Sequence, residues 1–277
     1  MGGNRIRRGL RRVLPPAGRR FLRRILDETP DRIRDAVPDA LDRLREPDRR
    51  LPPAALRRRV SLTASRREYD ATGELLARDV LRAFDANRRL DEEYPRWLDF
   101  GCGSGRIARH VARAPYVGRL SGVDVDAKAI AWLAAAYPAG DFHAIAAEPP
   151  APLPGSSFDV VYAVSVFSHF DEKATDAWLA EIARLLRPGG LFIASTLSPK
   201  LTWTRPDLSE DDHRRLQRDG FLFAPGSGPF NENGAFSSRE RLESRWGGVF
   251  EPRSFEEHGL AGYQDLTVWE KPRRERS

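Results

Sequence analysis

Cysteine is almost absent from this chain: Cys102 is the only one among 277 residues. One thiol cannot close an intrachain disulfide, so stability is expected to rest on a buried core, and a reducing, cytoplasmic setting is the simpler expectation. Long apolar runs are absent as well. No stretch reaches the roughly 18 apolar residues that a membrane-spanning helix needs, and no N-terminal apolar block of signal-peptide type occurs. The five histidines never stand in H-x-E or H-E-x-x-H spacing, and one cysteine cannot make C-x-x-C, so no metal site is expected. Lysine is scarce, four of the 46 basic residues. An arginine bias of that kind follows coding composition as readily as function, so it is little reason to expect a nucleic-acid partner.

What is present is unevenly placed. Residues 1–70 hold 20 arginines against 10 acidic residues, whereas the remainder is mildly acidic. Ile6, Leu10, Val13 and Leu14 fall at helical spacing, as do Phe21, Leu22, Ile25 and Leu26, and Pro15-Pro16 divides the two groups. Two short basic amphipathic helices fit the pattern, with peripheral contact to an anionic membrane surface as their use. A poorly ordered tail, or a helix docked on a partner, fits the same residues. Residues 27–53 mix charges with Pro30, Pro38, Pro47, Pro52 and Pro53, as a linker does. The expected division is therefore a basic arm and linker over 1–53 and one large α/β domain over 54–277.

The domain is organised around Trp97-Leu98-Asp99-Phe100-Gly101-Cys102-Gly103-Ser104-Gly105-Arg106. This reads as a short buried strand, a glycine turn, and a helix starting near Gly105. Three glycines in five residues permit backbone dihedrals that a Cβ forbids and let a ligand lie against the main chain. A helix start there would offer free N–H groups to a polar, partly anionic small molecule. The dinucleotide fingerprint G-x-G-x-x-G needs a third glycine where Arg106 stands. The spacing is instead G-x-G-x-G, with Asp99 two positions before the first glycine.

Around this loop, strand and helix signals alternate. A helix is expected over 74–84, with Leu75, Leu76, Val80, Leu81 and Phe84 on one face. Leu120-Ser121-Gly122-Val123-Asp124 is a second strand ending in an acid, and Asp126 caps a helix over 127–136. Asp124 lies 19 residues after Gly105, close to where nucleotide sites place the acid that grips a ribose diol. A third strand over 141–145 leads to Ala146-Ala147-Glu148, and a nearly continuous apolar run over 158–164 is a buried parallel strand. Ser165-Val166-Phe167-Ser168-His169 follows, then a helix over 171–187, Arg187-Pro188-Gly189-Gly190, and a strand over 191–196. The alternation predicts a doubly wound, mostly parallel sheet of Rossmann-like type.

Beyond residue 200 the rhythm changes. A charged helix over 209–216 stops at Gly220, Ser237 with Glu240 forms a capping box for a helix to Trp246, and strands over 249–255 and 262–269 close the sheet as an antiparallel hairpin of seven strands in all. Between them Trp203, Phe221, Phe223, Phe230 and Phe236 are spaced too irregularly for one helix or strand and are punctuated by Pro and Gly. Residues 201–246 are thus expected to be a lid-like insertion over the catalytic face. Anchoring of these aromatics to the core is the competing expectation.

Taken in order, Leu98-Asp99-Phe100-Gly101-Cys102-Gly103, Gly122-Val123-Asp124, Phe158-Asp159-Val160-Val161, Ser165-Val166-Phe167-Ser168-His169 and Leu185-Leu186-Arg187-Pro188-Gly189-Gly190-Leu191 resemble the class I S-adenosylmethionine-dependent methyltransferases over about residues 70–270. Gly105-Arg106, Ile130-Ala131-Trp132 and Tyr263-Gln264-Asp265-Leu266 further resemble a bacterial subgroup often associated with glycan biosynthesis. The resemblance implies S-adenosyl-L-methionine as cofactor. It implies that Gly101, Gly103 and Gly105 meet its methionine portion with Asp99 nearby, that Asp124 holds the ribose hydroxyls, and that Val125 packs on the adenine. Glu148 is the nearest candidate to read the adenine amine, because Ala146-Ala147 stand where many members carry a polar residue. Ser165 and Val166 are implied to line the methionine and acceptor side, and the segment around Gly73 to cover the cofactor. His169, at the carboxyl end of the fourth strand, is the candidate base for an alcohol acceptor; a structural histidine holding the turn is the other reading. The expected activity is O-methylation of a saccharide or other small metabolite. The alternatives are a non-catalytic S-adenosylmethionine-binding protein and an RNA methyltransferase using the basic arm, the latter opposed by the lack of any RNA-binding module and of an Asn/Asp-Pro-Pro-Tyr/Phe turn.

Overall fold

Val160, Val161, Tyr162 and Ala163 form an apolar run because their strand is covered on both faces, and all four are fully buried. The computed structural model describes residues 51–61, 65–88, 93–226 and 233–273. By its contacts the chain divides into residues 1–66 and 67–277. In the first unit, helix α1 (Ala54–Ser61) follows Pro52-Pro53, and Arg57 Nη1 donates to the Pro52 carbonyl at 2.5 Å. The two basic helices expected over 1–26, and the membrane contact expected of them, lie outside the described residues.

The second unit opens with α2 (Arg66–Asn87) and continues β1 (Arg96–Phe100), α3 (Ala108–Val111), β2 (Arg119–Asp124), α4 (Ala127–Ala136), β3 (Asp141–Ala144), β4 (Phe158–Ala163), α5 (Glu172–Leu185) and β5 (Leu186–Thr196). It then runs through α6 (Glu210–Asp219), β6 (Phe221–Ala224), β7 (Gly234–Ser237), α7 (Arg239–Trp246), β8 (Glu251–Leu260) and β9 (Gln264–Glu270). The seven-stranded sheet has the order β3-β2-β1-β4-β5-β9-β8. Its first five strands are parallel, β9 runs antiparallel to β5, and β8 antiparallel to β9. The order reverses between β1 and β4, and such a switch point opens a crevice at the carboxyl ends of the two strands.

Alternate residues of the buried strands serve opposite layers. Leu98, Val161, Phe192 and Ala194 meet Trp178, Ile182 and Leu185 of α5 and Trp246 of α7. Trp97, Val160, Tyr162 and Ile193 meet Leu76, Val80 and Phe84 of α2. At about 25 cal/mol per Å² of apolar surface removed from water, these two layers are the main stabilising term.

Several boundaries differ from the sequence reading. Helix α2 starts eight residues earlier than the expected 74, because its first turns are held by polar contacts that apolar periodicity cannot show. The helix after the glycine loop is four residues long and starts at Ala108, not near Gly105, since Gly105 has φ +77°, outside the helical region. The expected offer of helix N–H groups to a ligand is therefore corrected: the turn itself faces the crevice. Strand β5 begins at Leu186, and the register with β4 shifts between Phe158 and Val160 to absorb the Arg-Pro-Gly-Gly segment. The capping box expected at Ser237 does not form. Ser237 is strand, paired with Phe221 and donating its N–H to the Leu197 carbonyl, so Ser238 caps α7 by accepting from Arg241 N at 3.2 Å.

Phe221, Phe223 and Phe236 lie in strands rather than in an irregular loop. Strands β6 and β7 form an antiparallel ribbon, and Leu222 and Phe236 join Leu201 and Leu216 in a small separate core. Phe221 and Phe223 are half-buried, Trp203 is 72% exposed, and Phe230 lies outside the described residues.

Candidate functional site

Strand β1 delivers its chain into the crevice through a turn that only glycine can make. Gly101, Gly103 and Gly105 have φ of +83°, +52° and +77°. A Cβ on Gly101 would stand 2.3 Å from Val166 Cγ2, so the loop lies directly against the turn that follows β4. Asp124, at the end of β2, is pinned to this loop. Its Oδ2 accepts the Gly103 N–H at 2.7 Å and its Oδ1 the Asp126 N–H at 2.7 Å. A carboxylate oxygen has two lone pairs and can accept more than one hydrogen bond. Val125, beside it, is 59% exposed, an apolar side chain at a strand end with no core to join. Glu148 is exposed on the segment leaving β3.

Beneath the loop, Asp99 is buried and its carboxyl is pushed up to about 7, first by burial and then by the Asp124 charge, with the Tyr162 hydroxyl and Arg106 acting against the rise. Asp99 Oδ2 is buried and accepts no hydrogen bond among the described residues. Tyr162 lies beside it, outside hydrogen-bond geometry, and Asp99 in turn helps drive the phenol well above its ordinary value, after burial. A buried oxygen left without a donor costs about 1–3 kcal/mol. Arg106 is half-buried and makes no hydrogen bond or ion pair among the described residues. Burial lowers its guanidinium, and Tyr69 and Asp99 resist that shift.

Helix α2 roofs the loop. Gly73 permits this, since a Cβ there would stand 2.2 Å from the Arg106 carbonyl oxygen. Tyr69, fully buried and raised to about 12 by burial, lies 2.9 Å from Ser104 Oγ and donates to the Ser104 carbonyl at 3.1 Å. Asp70 binds the Arg109 guanidinium.

On the other side of the switch point, Ser165 has φ +56°, a left-handed serine. Its N–H donates to Ser195 Oγ at 2.7 Å and its hydroxyl to Gln264 Oε1 at 3.1 Å. His169 closes the following 3₁₀ turn, and its Nδ1 donates to the Asn233 carbonyl at 2.8 Å. Because a carbonyl only accepts, Nδ1 carries the proton and Nε2 has its lone pair free. Burial lowers the imidazole below its ordinary value, against the Asn233 bond that raises it. This is the state a general base needs.

The structure thus brings together Asp99, Gly101, Gly103, Gly105, Asp124, Val125, Ser165 and Val166 around the ends of β1, β2 and β4, with His169 one turn beyond. Glu148 is on a separate exposed segment and makes no hydrogen bond or ion pair to them among the described residues. Sequence reasoning missed Tyr162, Arg106, Tyr69, Ser195 and Asn233 as parts of the site. Gln264 stood in a quoted motif without a role. Tyr162 was recoverable from strand alternation, two residues from Val160; Ser195 and Asn233 had no local signal.

Residues 98–194 match the family model for a methyltransferase domain. A probable S-adenosylmethionine-dependent methyltransferase of Mycolicibacterium smegmatis is 39% identical over 100 residues, covering 36% of this chain and 37% of that protein. A ubiquinone biosynthesis O-methyltransferase of Sinorhizobium medicae is 33% identical over 122 residues, covering 42% of this chain and 47% of that protein. The chain spans under half the length of these curated relatives. A solved SAM-dependent methyltransferase of Methanosarcina mazei superposes with a TM-score of 0.54 at 20% identity, covering 69% of this chain and 98% of that one. The fold of this chain is the Rossmann-like methyltransferase fold, and its match to a methyltransferase domain runs from the glycine strand β1 into β5.

Proposed function

We propose that this protein is an S-adenosylmethionine-dependent methyltransferase that O-methylates a hydroxyl of a saccharide or other small metabolite. The observation that carries the reading is Asp124, locked onto the glycine loop by Gly103 N–H at the switch point where β2 and β1 end. A ribose diol donates two hydroxyl hydrogen bonds to such a carboxylate.

The residues present fit the rest of the cofactor. The unsatisfied Asp99 Oδ2 and the unpaired Arg106 suit the ammonium and carboxylate of a methionine group. Gly101 and Gly103, both at positive φ, are our candidates to meet its methionine chain with main chain, and exposed Val125 offers an apolar face to adenine. Glu148 remains our candidate for the adenine amine, and Ser165 and Val166 for the acceptor side. When bound, S-adenosylmethionine supplies a methyl group activated by its sulfonium. The protein then has to align the acceptor oxygen for in-line displacement, which is mostly a matter of positioning. His169 Nε2 takes the hydroxyl proton as charge develops, a contribution of roughly 10²–10⁴-fold. Because burial lowers the imidazole, the base is already unprotonated at neutral pH, and the rate should fall only below the ordinary histidine range. The reading places the reaction in the cytoplasm, with the arginine arm as the part that meets an anionic membrane surface.

Incubation with methyl-labelled S-adenosylmethionine and fractionated cell-envelope extract tests this. Label in a saccharide or small-metabolite fraction is the expected result. Cofactor binding without transfer would return the non-catalytic reading, and label in RNA would replace the acceptor class.

A further inference from the structure

The cofactor reading uses the carboxyl ends of β2, β1 and β4 and leaves β5 and β9 without a task. Those two strands nevertheless carry polar side chains at the same edge of the sheet, as Thr196 pairs with Asp265 where β5 ends and β9 has just begun. Ser165 connects them into one row, with its N–H on Ser195 Oγ of β5 and its hydroxyl on Gln264 Oε1 of β9. Left-handed backbone costs a non-glycine residue roughly 1–2 kcal/mol, and strain of this kind gathers where a side chain must be aimed. Gln264 is largely buried, and its carboxamide oxygen is engaged by Ser165. Its Nε2 makes no hydrogen bond among the described residues. With its oxygen turned to Ser165, the carboxamide has two N–H donors to offer from Nε2. The neighbouring Asp265 is occupied differently, accepting the His258 N–H at 3.0 Å.

Following the sheet order outward from β4, the next elements at this edge are the end of β5 and the start of β9. Ser165 stands four residues before His169, so the donor of Gln264 and the base at Nε2 flank the same end of β4. We propose that Gln264 recognises the methyl acceptor, donating from Nε2 to a second oxygen beside the hydroxyl that loses its proton, so that the preferred acceptor is a 1,2-diol. This rests on the methyltransferase reading above. The diol can belong to a saturated sugar ring or to an aromatic one.

The test uses the full chain loaded with S-adenosylhomocysteine and follows binding of methyl α-L-rhamnopyranoside, catechol and phenol by ligand-observed NMR. Gln264→Glu keeps an acceptor for the Ser165 hydroxyl and replaces the donors with a carboxylate, and Gln264→Leu removes donors and acceptor without adding charge. At least one diol should bind the loaded wild type more tightly than phenol does, and both variants should weaken it roughly tenfold or more while holding S-adenosylhomocysteine within about twofold of wild type. Which diol binds distinguishes the sugar from the aromatic source. The inference is overturned if neither diol binds the loaded protein, if phenol binds as well as the diols, if Gln264→Glu binds the diol unchanged, or if both variants lose S-adenosylhomocysteine as well. Failure of wild type to bind S-adenosylhomocysteine would instead bring down the methyltransferase reading, and this inference with it.

Discussion

The two halves of the sheet assemble their polar groups over different lengths of chain. Around β1 and β2, Asp124 reaches Gly103 across 21 residues and Asp126 across two. Beyond β4, His169 meets Asn233 across 64 residues and Ser165 meets Gln264 across 99. On the proposed function, the near half holds the cofactor through a compact loop-and-acid unit. The far half joins β4, β5, β9 and the ribbon β6-β7, and on the same proposal offers its surface to the acceptor. The proposal thus assigns a general cofactor to local structure and a particular substrate to tertiary assembly.

That contrast can be broken at either end. The largest effect is expected from Gly101→Val. Left-handed backbone and a Cβ against Val166 cost about 1–2 and about 1–3 kcal/mol, on the order of 4 kcal/mol together. Thermal melting should show it, with cofactor binding lost; a variant that melts and binds like wild type would mean the loop tolerates a side chain. In the far half, Phe236→Ala empties the insertion's small core and should cost about 3 kcal/mol. Since that core is separate from the two sheet layers, S-adenosylmethionine affinity should survive while acceptor turnover falls. Loss of both would show that the halves are one unit.

His169→Ala should lower kcat by roughly 10²-fold and leave cofactor affinity near wild type. A variant with full rate and reduced melting temperature would make His169 a turn-holding residue. The smallest effect concerns pH. Burial raises Asp99 to about 7, so the free protein holds a proton there below pH 7. A cationic ligand favours the carboxylate, binding expels that proton, and affinity for S-adenosylmethionine should rise several-fold from pH 6 to pH 8. Asp99→Asn should flatten the profile; a profile unchanged by that substitution would remove Asp99 from the site.

The same contrast explains what was legible in the sequence. The parallel sheet could be read because Val160 to Ala163 and the glycine loop are local signals, and Asp124 because its spacing from the loop is short. The early start of α2 was hidden because Tyr69 and Asp70 hold it through Ser104 and Arg109, contacts with no periodicity. The four-residue α3 was overestimated because apolar spacing after Gly105 continues through a turn whose φ values forbid helix. Irregular aromatic spacing suggested a loop over 221–236, yet a ribbon alternates faces every second residue, which puts Leu222 rather than Phe221 in the core. Asn233 and Ser195 reach His169 and Ser165 only across 64 and 30 residues, so no single stretch reveals them.

If Asp124 clamps a cofactor ribose, titration calorimetry of S-adenosylmethionine into wild type and Asp124→Ala will show it. Wild type should bind measurably, and the variant should lose about 1–3 kcal/mol, roughly 5- to 150-fold in affinity. Equal affinity in the two proteins, or no binding to wild type, would mean that Asp124 is no ribose clamp.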